Sequence, residues 1–362
     1  MLLYKHDWDE TKRHFEAWWN RSILERPTVA FTAPRDKPLA RIEPKPATTP
    51  EQAHTDLDCV LSRQEKYFAE NRFFAEAFPN AAINLGAGSL AAYLGSELGF
   101  AWDTIWFEPL PELLEAPESV QLPVYDPDNR WWRKQLDMAR TTAAAARGKY
   151  VPTIPDVVEN IDILAAMRGP QQTLFDLYDR PEWVKQWIRR IDELYFEYYD
   201  RLYEIVRDEN GGSSFTAFEI WGPGRTAKVQ CDFSAMIGPD MFREFVVPGL
   251  TAQCAKLDYS VFHLDGPECI PHVQHLVRIE ELDAIQWTPG SGKPPLDDPC
   301  WYDLYHQVVE GGKALLLVAG FLTEKQARAI AREVGVNGVY FRLASAASEA
   351  EGEDLLKRVM DW

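Results

Sequence analysis

The stretch Tyr259-Ser260-Val261-Phe262-His263-Leu264-Asp265-Gly266-Pro267 joins an apolar run to two side chains that can do chemistry. His263 and Asp265 are two residues apart, so an extended strand points both to one side. Gly266-Pro267 then stops the strand. Such a pair supports three readings: ligands of a divalent metal with an open position, a histidine acid–base whose tautomer Asp265 fixes, or an aspartate that caps the turn beside a satisfied histidine. Other apolar runs end alike, in Phe218-Glu219-Ile220-Trp221-Gly222, Gln286-Trp287-Thr288-Pro289-Gly290 and Val318-Ala319-Gly320-Phe321. If these ends surround one mouth, Glu219, His263, Asp265 and Gln286 converge there, with Trp221, Trp287 and Phe321 as apolar walls. Glu219 is costly to bury alone, so it is expected at the open end or paired. The candidate catalytic groups are Glu219, His263 and Asp265, and the same three are the candidate metal ligands. Cys231, in the loop after Trp221, reads as a small buried apolar group. His272 and His275 read as ordinary helix or loop residues.

These ends must be held by a scaffold. Strand-like runs fall at Pro27–Phe31, Ala81–Gly86, Tyr150–Pro155, Phe215–Trp221, Tyr259–Asp265, Asp283–Pro289, Ala314–Ala319 and Gly338–Leu343. Helical spacing of apolar residues occupies 8–25, 51–77, 181–208, 239–256, 301–311 and 324–334, and the proline-rich segment 33–50 reads as a surface loop. Alternation of strands and helices indicates parallel βαβ units. Eight strands predict a (β/α)8 TIM barrel with an N-terminal helical extension, whose active site lies at the carboxyl ends of the strands. No glycine-rich dinucleotide fingerprint supports a doubly wound sheet instead. The whole of 1–362 is expected to be one domain, with 1–25 as the extension and about 96–148 as an insertion.

Composition narrows the function. With 46% hydrophobic residues and 13 tryptophans the chain can bury a large core. A formal charge of −18 argues against nucleic acid and against an anionic membrane surface as partners. Five scattered cysteines show neither a disulfide framework nor a zinc-ribbon spacing. The start has no apolar signal-peptide core, and the longest apolar run, Ala314–Leu322, is too short to cross a bilayer. A cytoplasmic protein is expected.

Several motifs also carry a family resemblance. Glu25-Arg26-Pro27-Thr28-Val29, Asn84-Leu85-Gly86-Ala87-Gly88-Ser89-Leu90, Met167-Arg168-Gly169 and Asp179-Arg180-Pro181-Glu182-Trp183 occur in order. The most specific is Gly238-Pro239-Asp240-Met241-Phe242-Arg243-Glu244-Phe245-Val246-Val247-Pro248. Together they resemble the uroporphyrinogen decarboxylase superfamily, which includes corrinoid-dependent methyltransferases, almost end to end. The resemblance implies a TIM barrel and places Tyr259–Gly266 where methyltransferase members carry His-x-Cys-Gly. The departures are chemical. The arginine-rich substrate loop of the decarboxylases is replaced by Phe31-Thr32-Ala33-Pro34-Arg35-Asp36. The cysteine of His-x-Cys is Asp265, and Phe341–Ala347 has no cysteine. Of that family's ligands only His263 transfers by type.

What the resemblance implies is transfer of a methyl group between a small methylated substrate and a corrinoid protein, assisted by Zn2+ or another divalent metal. Tyr93, Trp221, Gln286, Trp287 and Phe321 then contact the substrate. A partner must bring the corrinoid, since the chain lacks the Asp-x-His-x-x-Gly segment of a corrinoid-binding domain. A homodimer is compatible with this reading. The alternatives are a non-corrinoid lyase, decarboxylase or hydrolase with a carboxylate/histidine acid–base site, and a ligand-binding homologue without catalysis.

Overall fold

The computed structural model describes residues 1–362. Its strands, in chain order, are β1 (Thr28–Pro34), β2 (Asn71–Ala75), β3 (Asn80–Ala81), β4 (Leu98–Phe100), β5 (Ile105–Phe107), β6 (Val151–Pro152), β7 (Ser213–Phe215), β8 (Ile220–Gly222), β9 (Thr226–Gln230), β10 (Tyr259–Asp265), β11 (Ala284–Thr288), β12 (Ala314–Leu322) and β13 (Val339–Leu343). Seven form the central sheet in the order β2-β1-β13-β12-β11-β10-β9. All neighbours are parallel except β2, which runs antiparallel to β1. Helical segments connect the parallel strands, as βαβ units require, from the 11-residue helix Glu324–Val334 before β13 down to the short turns Pro267–His272 and Val273–Leu276 before β11.

This is the expected α/β, TIM-barrel-like architecture, but the backbone ladder does not close. Beyond β9 the circuit continues through short contacts. The Thr226 amide donates to Ser213 Oγ of β7 (3.1 Å), Phe215 bridges Ile154, and β3 pairs with β6 at Asn80↔Val151 and Ala81↔Pro152. Only Asn80 and Ala81 pair near the expected strand Ala81–Gly86. The expected helix over 51–77 ends at Glu70. Phe73 and Phe74 then make β2 an edge strand, with Phe74 stacked on Phe31 at 5.0 Å.

The run Phe215–Trp221 is not one strand, and this moves a site residue. Phe218 and Glu219 lie at φ 68° and 53°, a left-handed pair that reverses the chain between β7 and β8. Each non-glycine residue in that region costs about 1–2 kcal/mol, so tertiary contacts must hold the turn. The barrel strand is instead β9, where polar Thr226, Lys228 and Gln230 alternate with apolar Ala227 and Val229.

The helix Trp8–Trp19 covers the amino-terminal ends of the strands. Trp19 lies 4.8 Å from Tyr259 at the start of β10, and Phe15 and Trp18 pack edge-on against Tyr340 of β13. The Trp19 indole donates to the Trp221 carbonyl at 3.0 Å. Behind β1, the buried Arg26 guanidinium grips Glu76 through two bonds of 2.7 Å, and Glu76 also accepts the Val29 amide at 2.9 Å. The 26-residue helix Pro181–Val206 turns a continuous apolar stripe inward, and its Tyr199 hydroxyl donates to the Thr226 carbonyl of β9 at 3.1 Å. No helix is long and apolar enough to cross a membrane.

Candidate active site at the carboxyl ends of the strands

In the parallel ladder, His263 pairs with Gln230 on one side and Gln286 on the other, Val261 with Lys228, and Asp265 with Thr288. Period-two alternation therefore puts Lys228, Gln230, His263, Asp265, Gln286 and Thr288 on the same face. One residue past β9 the chain tightens into the 3-10 turn Asp232–Met236, which brings Asp232 to the same end. Asp232, His263 and Asp265 each offer a ligand atom, all within 4.8 Å of one another.

The histidine is oriented by its neighbour. Gln286 is wholly buried, and its amide nitrogen donates to the Trp287 carbonyl at 2.7 Å and to Thr288 Oγ1 at 2.9 Å. Its oxygen is thereby turned toward His263 Nδ1, 2.5 Å away. An amide oxygen only accepts, so Nδ1 carries the proton and Nε2 keeps its lone pair. Burial, and then the charge of Lys228, hold the imidazole below its usual pKa, so it is neutral at pH 7. The Phe218 ring packs 5.4 Å from the imidazole.

The carboxylates form a connected set. Asp162 accepts the backbone amides of Asp232 (2.8 Å) and Phe233 (2.9 Å). Gln230 Nε2 donates to Asp162 (3.1 Å) and to Asp232 (3.0 Å). Lys228 Nζ, nearly buried, donates to Asp156 at 2.7 Å and to the Gln230 amide oxygen. Asp232 keeps an edge open to solvent while the protein encloses the rest. That enclosure, with the negative charges of Asp162 and Asp265 nearby, pushes its pKa up to about 7.

The residues singled out by sequence divide. His263, Asp265 and Gln286 come together as expected. Glu219 does not join the ligand cluster: its carboxylate accepts from Arg342 on β13 at 2.8 Å. Burial still raises its pKa, against the pull of Arg342. Phe321 is 63% exposed, with the Arg342 guanidinium 4.9 Å from its ring. Trp221 is buried against Trp8 near the amino-terminal helix, because the reversal at Phe218–Glu219 carries β8 away from the mouth. Trp287 alternates outward from Gln286 and packs on Trp301 at 5.1 Å. Tyr93 is enclosed between Trp132 and Tyr198, both at 5.2 Å. These three rings are packing residues. Cys231 is buried and its thiol pKa is pushed well up by that burial, in accord with an apolar role.

Sequence reasoning missed Asp232, Gln230, Lys228, Asp156 and Asp162. A signal existed in Thr226-Ala227-Lys228-Val229-Gln230-Cys231-Asp232, a strict polar–apolar alternation that reads as a half-buried strand. Cavities of about 790 and 530 Å³ lie elsewhere, and neither is lined by Asp232, His263 or Asp265. The chemistry of the mouth rests on its convergent side chains.

No protein-family model matches the sequence, and no curated protein matches it either. Solved structures do. A methyltransferase from Methanosarcina mazei superposes with a TM-score of 0.57 over 97% of this chain and 98% of that one, at 13% identity. The chain shares that fold. A B12-independent methionine synthase from Shewanella sp. W3-18-1, solved with selenomethionine, is a more distant likeness, with a TM-score of 0.46, 10% identity, and coverage of 93% and 99%.

A buried carboxylate beneath the site gives a separate test. Asp192 accepts the Asn160 amide at 2.9 Å, and Asn160 Nδ2 donates to the Gln230 carbonyl at 2.6 Å. Burial pushes the pKa of Asp192 up to about 7. A folded-state value above the unfolded one means that the native state holds the proton more tightly. Its stability contribution is therefore full below about pH 4 and is lost as pH rises toward 7. Asp192→Asn keeps the acceptor without the charge. It is expected to be more stable than wild type at pH 8, by about 2 kcal/mol after allowance for partial exposure, and nearly equal at about pH 4, as urea unfolding at both values would read.

Proposed function

We propose that the protein is a metal-assisted methyltransferase acting on a small methylated substrate. The observation that carries this reading is the convergence of Asp232, His263 and Asp265 at the carboxyl end of a barrel whose fold a methyltransferase shares. One imidazole and two carboxylates make a nitrogen–oxygen donor set suited to Zn2+, Mn2+ or Fe2+. It is harder than a thiolate site, and Gln286, accepting from Nδ1, already fixes the histidine in the ligating tautomer. A divalent cation there would withdraw electron density from the substrate heteroatom and make it a better leaving group. As ligands, Asp232 and Asp265 would meet the ion as carboxylates and His263 as a neutral imidazole. The Phe218 ring, packed on His263, excludes water from one side of the site. The carbon–heteroatom bond would break with its electron pair left on the heteroatom, and a reduced corrinoid brought by a partner protein would supply the electron pair for the new bond to the methyl carbon.

A second reading is favoured by one observation: a carboxylic acid near pKa 7 beside a neutral histidine can exchange protons without any metal. That describes a lyase or hydrolase. The deciding experiment incubates the purified protein and a reduced corrinoid with methylated alcohols, thiols and amines, and follows methylcorrinoid by absorbance. Mass spectrometry measures bound metal in parallel. Stoichiometric metal and methylcorrinoid formation are expected. A metal-free protein that methylates nothing would sink the proposal and leave the acid–base reading.

A further inference from the structure

We infer that Lys228 and Gln230 are positioning residues that fix the Asp232 carboxylate toward His263 and Asp265, an inference that rests on the metal-centre reading above. The donors around Asp232 form a chain with only one consistent orientation. Gln230 is nearly buried, and its amide nitrogen faces two carboxylates, Asp232 at 3.0 Å and Asp162 at 3.1 Å. Its amide oxygen accepts from the Lys228 ammonium. Rotating the amide by half a turn would set the oxygen against both carboxylates and the NH2 group against an ammonium. Both contacts would become repulsive, so the charges on either side lock the amide.

Lys228 is itself held, because Asp156 accepts from its Nζ at 2.7 Å. The backbone of Gln230 is pinned too. Its amide donates to the buried Glu159 at 3.0 Å and its carbonyl accepts from Asn160 at 2.6 Å. The Asp232 main chain is anchored through Asp162 at 2.8 Å. Asp232 therefore has one oxygen tethered to Gln230, while the cluster geometry keeps a carboxylate oxygen within 4.8 Å of the ligand atoms of His263 and Asp265. On the neighbouring strand Gln286 does the same for His263. Each of these two ligands is thus steered by a glutamine, and in each case other polar groups fix which end of the amide faces it. On the β9 side that group is the Lys228–Asp156 ion pair, which gives a buried lysine a role beyond packing.

The test titrates Mn2+ and Zn2+ into wild type, Gln230→Leu, Lys228→Met and Lys228→Arg by calorimetry, after thermal melts confirm folding. The Co2+-substituted proteins are compared by visible absorption. Gln230→Leu and Lys228→Met are expected to bind roughly 10–100-fold more weakly, as outer-shell changes do, with an altered Co2+ band. Lys228→Arg, which keeps the donor, is expected to retain wild-type affinity. If the wild type binds metal and the first two variants bind it equally well with the same Co2+ spectrum, the positioning role is wrong and the metal centre stands. A wild type that binds none of the ions overturns both. Should Lys228→Met fail to fold, Gln230→Leu, which leaves the Lys228–Asp156 pair intact, decides alone.

Discussion

His263→Ala is expected to remove metal binding and with it the transfer reaction, by a factor on the order of 10³ or more, larger than the 10–100-fold loss typical of an outer-shell partner. The size follows from what is lost. His263 is the only imidazole of the cluster, and its removal leaves two carboxylates to hold a divalent ion against their mutual repulsion. The Gln286 oxygen also loses its donor inside a buried site. Equilibrium dialysis with Zn2+ and the methylcorrinoid assay measure the two effects, and melting temperature checks the fold. His263→Gln should fold better but bind scarcely more metal, since an amide oxygen is a poor replacement for imidazole. Metal affinity within threefold of wild type in His263→Ala would exclude this residue as a ligand.

Glu76→Ala is expected to destabilise the protein by about 3–5 kcal/mol, the usual result of breaking a buried ion pair from one side. Glu76 is wholly buried and is the only carboxylate bonded to Arg26. Its removal strands a guanidinium in the interior and frees the Val29 amide, which no longer has its 2.9 Å acceptor. Glu76→Gln keeps an acceptor for Val29 and should lose less. Because Arg26 and Glu76 sit behind β1, far along the chain from β9–β11, metal affinity in folded Glu76→Gln should match wild type. Urea unfolding reads the stability, and a loss below 1 kcal/mol for Glu76→Ala would contradict the ion-pair argument.

The strands that carry the site were the most legible part of the sequence. Tyr259–Asp265 is a strand over the residues expected, and His263, Asp265 and Gln286 converge because period two and parallel register are local rules. The errors arose where tertiary contacts outweighed local pattern. Phe215–Trp221 has the composition of a strand, yet Phe218 and Glu219 adopt a left-handed turn. Contacts with His263 and Arg342, distant in sequence, hold that turn. This one reversal took Glu219 out of the ligand set and sent Trp221 to the other end of the barrel. Trp287 was misplaced by a one-residue parity choice: next to an inward Gln286 it must point outward. Asp232 escaped notice because the true fourth parallel strand was read as a loop, although its alternation of lysine, glutamine and aspartate with small apolar residues was there to be counted.

The aromatic helix Trp8–Trp19 packs across one end of the barrel, pressing Trp18 and Trp19 onto the first residues of β13 and β10. The Asp232–His263–Asp265 cluster lies at the opposite end, the carboxyl end of the strands, and is approached from there. Under the methyl transfer proposed above, a bulky acceptor docked first at that end would obstruct the small substrate. That access would then require the small molecule to enter before a large partner docks.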